Sequence, residues 1–462
     1  MIDAPDRGPI ATRTDRYVVV FRDDVPALEM DRAVRDLLGQ PGPGGAVARA
    51  EDFADRAVTA EEADRAAAVV FDELGVAVIA ADPDRYPSVQ AAVSTDPRIV
   101  VVEPELIYTV LPGQLPGQDT GVQLPAQPGP AVPRPADPAT PSAEYLRGYR
   151  DGVQDLARRL GQAGGSAMDL IAQVSYQDTD QAAWGLHATG VLTSPATGAG
   201  IRIAVLDTGF DLTHPDFSGR PITGRSFVPG EEVQDRHGHG THCIGTAAGP
   251  AAPGQGPRYG VAPEAQIWAG KVLSDSGSGT DTNILAGLNW AVAGGCEVIS
   301  MSLGADLDQV VQRYETVGRR ALAAGSLLIA AAGNNAARRR GSVGFVGVPA
   351  NSPSIMAVGA VDQTLAVADF SARSSALPGG QVDLAAPGVD VLSSWPMPGR
   401  TRSISGTSMA TPHVAGLAAL WAQTRGDRGQ ALWTTLVQSA SRLDASSADV
   451  GTGLALAPQR TG

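Results

Sequence analysis

The chain has 462 residues, a formal net charge of −14 and a pI near 4.9, a balance that disfavours nucleic-acid phosphates and anionic membranes as partners, because binding those needs a clustered positive field. Its length exceeds one ordinary hydrophobic core and predicts two or three folded units. Two cysteines are too few for a disulfide framework and lack the partners of a zinc site, and no apolar run is long enough to cross a bilayer.

From the N-terminus, the first thirty residues carry neither the basic nor the apolar stretch of a signal peptide, which favours a cytoplasmic setting unless the start is incomplete or export is non-standard. Residues 16–110 alternate strand-like and helix-like text. A strand is expected over 16–21, a helix over Ala27–Leu38, a strand over Val76–Ala80, a short helix over Tyr86–Val93 and a strand over Ile99–Val110. That succession predicts a small α+β domain, ferredoxin-like, with helices on one face of an antiparallel sheet. Residues 111–179 read as a linker, because nine prolines between 111 and 141 forbid regular structure. Within it Tyr145, Tyr149, Val153, Leu156 and Leu160 recur at the spacing of one amphipathic helix. From 180 to 460, β-branched runs (201–206, 298–303, 327–331, 355–358) alternate with helical stretches (283–293, 310–324, 411–422). This is the pattern of an α/β fold, a parallel sheet covered by helices on both faces in three layers.

Reactive residues of open α/β sheets gather beyond the carboxyl ends of strands, and three such places stand out. The strand ending at Leu206 runs into Asp207-Thr208-Gly209, although a plain turn aspartate would look the same. Residues 235–243 read Asp-Arg-His-Gly-His-Gly-Thr-His-Cys, where small residues let a histidine ring be approached closely at a helix start. The three histidines, His237, His239 and His242, leave a metal site open as an alternative, against which stands the lack of an acid between them. Residues 406–413 place Ser408 at the opening of an apolar helix. Unpaired backbone N–H groups and the positive dipole end suit an oxyanion there, though a mere N-capping serine would also fit. Pro412 keeps Ser408 near the first turn. The text is not Gly-x-Ser-x-Gly, so an esterase or lipase loses its main support.

In this chain order, Asp-Thr-Gly, His-Gly-Thr-His and Gly-Thr-Ser-Met-Ala resemble the motifs of the subtilisin-like serine peptidases, the subtilase family. The resemblance extends over about 180–455 through GVAPEAQIWAGKVL, GSGTDTNILAGLNWAV, VISMSLG, AAAGNN, VGVPANSPSIMAVGAV and DLAAPGVDVLSS. It implies an endopeptidase whose triad is Asp207, His239 and Ser408, with His187, His214 and His413 structural. His239 would take the serine proton and return it to the leaving amine while Asp207 fixes the imidazole tautomer. The Ser408 N–H and the Asn334 amide would hold the oxyanion. Substrate strands would lie extended along Ser276, Gly277 and Gly279 and along Ser302, Leu303 and Gly304. A primary pocket lined by residues 331–335 and closed near Gly347 implies broad specificity with a large apolar side chain before the scissile bond. Arg338, Arg339 and Arg340 read as a solvated loop rather than as the pocket mouth.

More loosely, residues 16–110 are similar to the family's inhibitor-like prosegment. The domain would then assist folding, block the cleft and be removed by the enzyme itself, with a cut between Leu111 and about Gln177. The chemistry implies no cofactor. Calcium is expected only as a stabiliser, at a weak site of Asp383 with the carbonyls of Pro353 and Ile355. Cys243, directly after the histidine motif, reads as a buried inert thiol. The implied partners are polypeptide substrates and the chain's own prosegment, with no nucleic acid or membrane, and the implied state is a monomer. The alternative is a catalytically silent peptide-binding scaffold held closed by its N-terminal domain, against which an intact triad and Asn334 argue.

Overall fold

In the computed structural model, residues 13–39, 47–81, 86–110 and 175–460 are described. The helix expected at 144–160 and almost all of the expected linker lie outside them. The described residues up to 110 and from 176 onward belong to one compact unit.

The N-terminal elements are β1 (Arg13–Phe21), α1 (Ala27–Leu38), β2 (Val47–Arg49), α2 (Ala60–Arg65), β3 (Ala68–Phe71), β4 (Val76–Ala80), α3 (Tyr86–Val93) and β5 (Ile99–Val110). Strands β5, β1, β4 and β3 lie side by side and antiparallel, with β2 added parallel to β3 at the edge. This order is compatible with the expected ferredoxin-like arrangement. The run Tyr17 to Phe21 is buried without a break, because both faces of this sheet are covered. Tyr17, Val19 and Phe21 pack with Met30 and Val34 of α1, while Val18 and Val20 face the other way into a second cluster.

The remaining elements are α4 (Trp184–Ala188), β6 (Arg202–Asp207), β7 (Ile222–Ser226), α5 (His239–Ala248), β8 (Gln266–Lys271), β9 (Ser278–Thr280), α6 (Asp281–Ala293), β10 (Val298–Met301), β11 (Leu303–Gly304), α7 (Gln312–Ala323), β12 (Leu327–Ala331), β13 (Met356–Val361), β14 (Leu384–Pro387), β15 (Val391–Trp395), β16 (Arg400–Ile404), α8 (Thr407–Arg425), α9 (Gly429–Ser439) and α10 (Ser447–Val450). Seven parallel strands run in the order β14-β13-β12-β10-β6-β8-β7. Helices α5, α8 and α9 bury one face of this sheet and α6 and α7 the other, giving the expected three layers. The chain order reverses between β6 and β10, and such a switch point opens a crevice at the strands' carboxyl ends.

The N-terminal sheet docks on α6 and α7. Val18, Val20, Val76 and Val78 share an apolar cluster with Leu285, Leu288 and Val317. Two carboxylates of β5 then meet two helix starts: Glu103 accepts the N–H groups of Gln312 (2.9 Å) and Arg313 (3.1 Å), and Glu105 accepts that of Thr282 (2.8 Å). Those N–H groups have no partner within their own helices, and the dipole favours an anion there. Gly75, at φ +67°, lets the Arg320 guanidinium lie where a β-carbon would meet it at 2.3 Å. Among the described residues no helix is long and apolar enough to cross a membrane.

Candidate active site

Asp207 is the last residue of β6 and His239 the first of α5, and both are buried. The imidazole Nδ1 lies 2.8 and 3.0 Å from the two carboxylate oxygens of Asp207, and the Thr208 N–H donates to Asp207 Oδ1 at 2.7 Å. Burial disfavours the imidazolium, but the adjoining carboxylate outweighs it and holds the His239 pKa well above the usual histidine value. Nδ1 facing a carboxylate fixes the proton there and leaves Nε2 as the basic nitrogen. His239 Nε2 is buried with no hydrogen-bond partner.

Ser408 is the second residue of α8 and buried. Pro412, the sixth residue of that helix, has no N–H, so the Ser408 carbonyl lacks its donor four residues on. It accepts the Ser302 hydroxyl at 2.8 Å and the Cys243 thiol at 3.6 Å instead. The Ser408 hydroxyl donates to the Ser302 carbonyl at 3.3 Å. Asn334 follows β12. Its Oδ1 accepts the Thr407 N–H and hydroxyl, both at 2.9 Å, which turns the amide nitrogen to the opposite side. The structure thus brings Asp207 and His239 together, and ties Asn334 to the residue before Ser408.

Asp235 joins these pieces, and sequence reasoning missed it. Its Oδ1 accepts from Thr208 Oγ1 (3.0 Å), His237 N–H (3.0 Å) and Gly238 N–H (2.8 Å), and its Oδ2 from Thr241 N–H (2.8 Å) and Oγ1 (2.7 Å). Thr208 Oγ1 in turn accepts the Gly240 N–H at 2.8 Å. One carboxylate therefore fastens the loop after Asp207 to the start of the His239 helix. The available signal was an acid four residues before a helix-opening histidine.

The three-histidine metal alternative does not hold. His242 points Nε2 at the carbonyls of Val391 (2.9 Å) and Arg402 (3.1 Å), and burial pushes its pKa down to about 3. His413 is pushed down by burial to about 4 and bonds the Met409 carbonyl, while His214 bonds that of Arg400 and His187 the hydroxyl of Thr179. Among the described residues, Asp207, His239 and Cys243 are the group whose candidate ligand atoms lie within 4.8 Å of one another. The Cys243 thiol is buried 3.8 Å from His239 Nδ1, and burial pushes its pKa up, so it stays protonated at neutral pH.

The expected substrate strands flank a cleft that β5 enters. Ile107, Tyr108 and Thr109 pair antiparallel with Thr280, Gly279 and Ser278, and Thr109 and Val110 pair with Gly304 and Leu303. The Val110 N–H donates to the Gly277 carbonyl at 2.8 Å. Ser276 lies off this pairing, its hydroxyl bonded to those of Ser274 and Ser278. A β-carbon on Gly347 would meet the Ala305 carbonyl at 2.5 Å, and Asn335 donates to Asp306 at 2.9 Å. Arg338 is bound to the Ser371 carbonyl and to Asp449, while Arg339 and Arg340 are exposed. Asp383 accepts the Ala357 N–H at 2.8 Å, and burial pushes its pKa up to about 7. A buried carboxylate oxygen is the kind of donor a hard cation takes.

Residues 198–453 match the family model described as "Subtilase family". The M-protease of Shouchella clausii (strain KSM-K16) is 42% identical over 267 residues, covering 55% of this chain and 65% of the relative. Subtilisin E of Bacillus subtilis (strain 168) is 41% identical over 256 residues, 55% of this chain and 62% of the relative. Subtilisin Savinase of Lederbergia lenta is 44% identical over 242 residues, 51% and 82%. The chain thus spans less than two thirds of the first two relatives.

Proposed function

The chain belongs to the subtilase family, and we propose that it is a serine endopeptidase in which Asp207, His239 and Ser408 form the triad. The observation that carries this reading is the Asp207–His239 pair with its basic nitrogen unpartnered, linked through the Cys243 thiol to a serine at a helix start. Attack begins when the Ser408 hydroxyl turns from the Ser302 carbonyl to His239 Nε2, which takes its proton as Oγ bonds to the substrate carbonyl carbon. The oxyanion is held by the Ser408 N–H and the Asn334 amide. His239 then protonates the leaving nitrogen, and water releases the acyl group by the same steps reversed.

Substrate strands take the place of residues 107–110 of β5, so the N-terminal domain acts as an inhibitor in the cleft until the chain cuts itself beyond Val110. The primary pocket lies along residues 331–335 and Gly347 and takes large apolar side chains. No cofactor takes part in the steps above. Asp383, with the carbonyls of Pro353 and Ile355, would hold calcium, which would supply stability alone. The test is a sulfonyl fluoride reagent applied to the casein-digesting protein. One adduct on Ser408, with loss of digestion in proportion, supports the reading, and digestion that survives full labelling of Ser408 refutes it.

A further inference from the structure

The end of β5 carries a record of what the cleft recognises. Side chains alternate along a strand, and here Tyr108 is buried, Thr109 is exposed and Val110 lies beside Gly277. Tyr108 faces Gly279 and stands two residues before Val110, which faces Leu303. Its ring meets that of Tyr314 edge-on, centroids 5.7 Å apart, in an apolar cluster that includes Ile284 and Leu303. Below the ring the pocket is charged. Arg313 Nη2 donates to the Tyr108 hydroxyl oxygen at 3.4 Å. Arg313 is held by Asp281 through Nε (3.0 Å) and Nη2 (3.0 Å), and Tyr314 donates its hydroxyl to Asp281 at 2.8 Å. Asp281 is 0% and Arg313 1% exposed.

We propose that this pocket selects for a tyrosine hydroxyl in the substrate, at the place Tyr108 takes, two residues before the residue that faces Leu303. The inference rests on the peptidase reading above. A buried guanidinium needs acceptors for its donors. Asp281 serves Arg313 in every state, whereas Glu103, 3.0 Å from Nη1, belongs to the N-terminal domain and is lost when that domain leaves. A substrate tyrosine then buries its ring against Tyr314 and gives Nη2 the oxygen that Tyr108 gives now. Phenylalanine fills the same volume and leaves the donor without that acceptor, and leucine loses the ring contact as well. Sites built to pair a hydroxyl reject the analogue without it more strongly than apolar pockets reject a change of size. At 3.4 Å the bond is long, so the discrimination expected is about tenfold, the low end for a charge-assisted bond.

The test uses the full-length protein, incubated until its peptide-hydrolysing activity is constant, and peptides that differ only in carrying tyrosine, phenylalanine or leucine at that place. The expected kcat/KM for tyrosine exceeds that for phenylalanine by about tenfold, and the ratio falls to about one when Arg313→Met is combined with Asp281→Asn, which removes both charges together. Equal rates on tyrosine and phenylalanine peptides overturn the inference and leave the peptidase reading standing. No cleavage of any peptide overturns the peptidase reading, and the inference with it. A second measurement is independent of activity: in the full-length Ser408→Ala chain, Tyr108→Phe should speed hydrogen exchange of the Val110 amide by about tenfold, and unchanged exchange overturns the pocket inference even if the double variant fails to fold.

Discussion

Asp235→Asn keeps the shape of the side chain and removes its charge, and its cost follows from the bonds. Oδ1 serves three donors and Oδ2 two, both from Thr241. An amide retains one oxygen, so the cheaper orientation keeps the Oδ1 set and turns its NH2 toward the Thr241 N–H. That N–H then lacks an acceptor beside a residue only 1% exposed. One buried orphan donor costs about 1–3 kcal/mol, and three surviving bonds lose charge assistance, for a total of about 3 kcal/mol. Stability is best read by urea unfolding in the Ser408→Ala background, where self-digestion cannot intervene. In the active chain, kcat should fall about 10- to 100-fold with KM little changed, because Asp235 touches the loops that place Asp207 and His239 and not the cleft. Stability within about 0.5 kcal/mol of the parent together with an unchanged kcat would refute the claim that this carboxylate positions the pair.

The acid limb of kcat/KM should lie above the usual histidine value, because His239 must be neutral to accept a proton and Asp207 raises its pKa. Asp207→Asn leaves burial as the main influence, so the limb should move down while kcat falls by about 10⁴-fold, a magnitude taken from triads of this kind; a limb that stays in place contradicts the assignment. Asn334→Leu should lower kcat by about 10²- to 10³-fold with little change in KM, again a value taken from this family, read by steady-state kinetics on one peptide. Chelation of calcium should lower the melting temperature of the parent and leave that of Asp383→Asn unchanged, and an equal drop in both removes Asp383 from the site.

The parallel sheet was legible because its strands are short β-branched runs between longer helical stretches, and β12 has the bounds its apolar run predicts, Leu327–Ala331. The region 47–71 carries no comparable signal. There β2 has three residues, α2 six, and β3 four, each too short for a periodic signal. The Thr59 to Glu62 capping box that starts α2 was nevertheless visible as Thr-x-x-Glu. The run 298–303 reads as one strand, but the chain leaves the sheet at Ser302 so that β11 can face the cleft. Helix α8 begins at Thr407, four residues before its apolar run, because the N–H groups of a first turn need acceptors from outside the helix and Asn334 Oδ1 supplies one to Thr407. The motif residues were visible for their chemistry, whereas Glu103, Glu105 and Arg313 act through partners far away in sequence, which no local pattern encodes, and Asp235 combines local bonds to its own helix start with one to Thr208, 27 residues earlier.

The central claim is that Ser408 cuts peptide bonds, first in its own chain. Intact mass over time, for the wild-type protein beside Ser408→Ala and with casein present, tests it most directly. The account predicts that the wild type loses about 110–180 residues from its N-terminus, a cut beyond β5 and before α4, and then digests casein while the alanine variant stays whole. A Ser408→Ala chain that shortens and digests casein like the wild type, or a wild type that leaves both itself and casein intact, would contradict it.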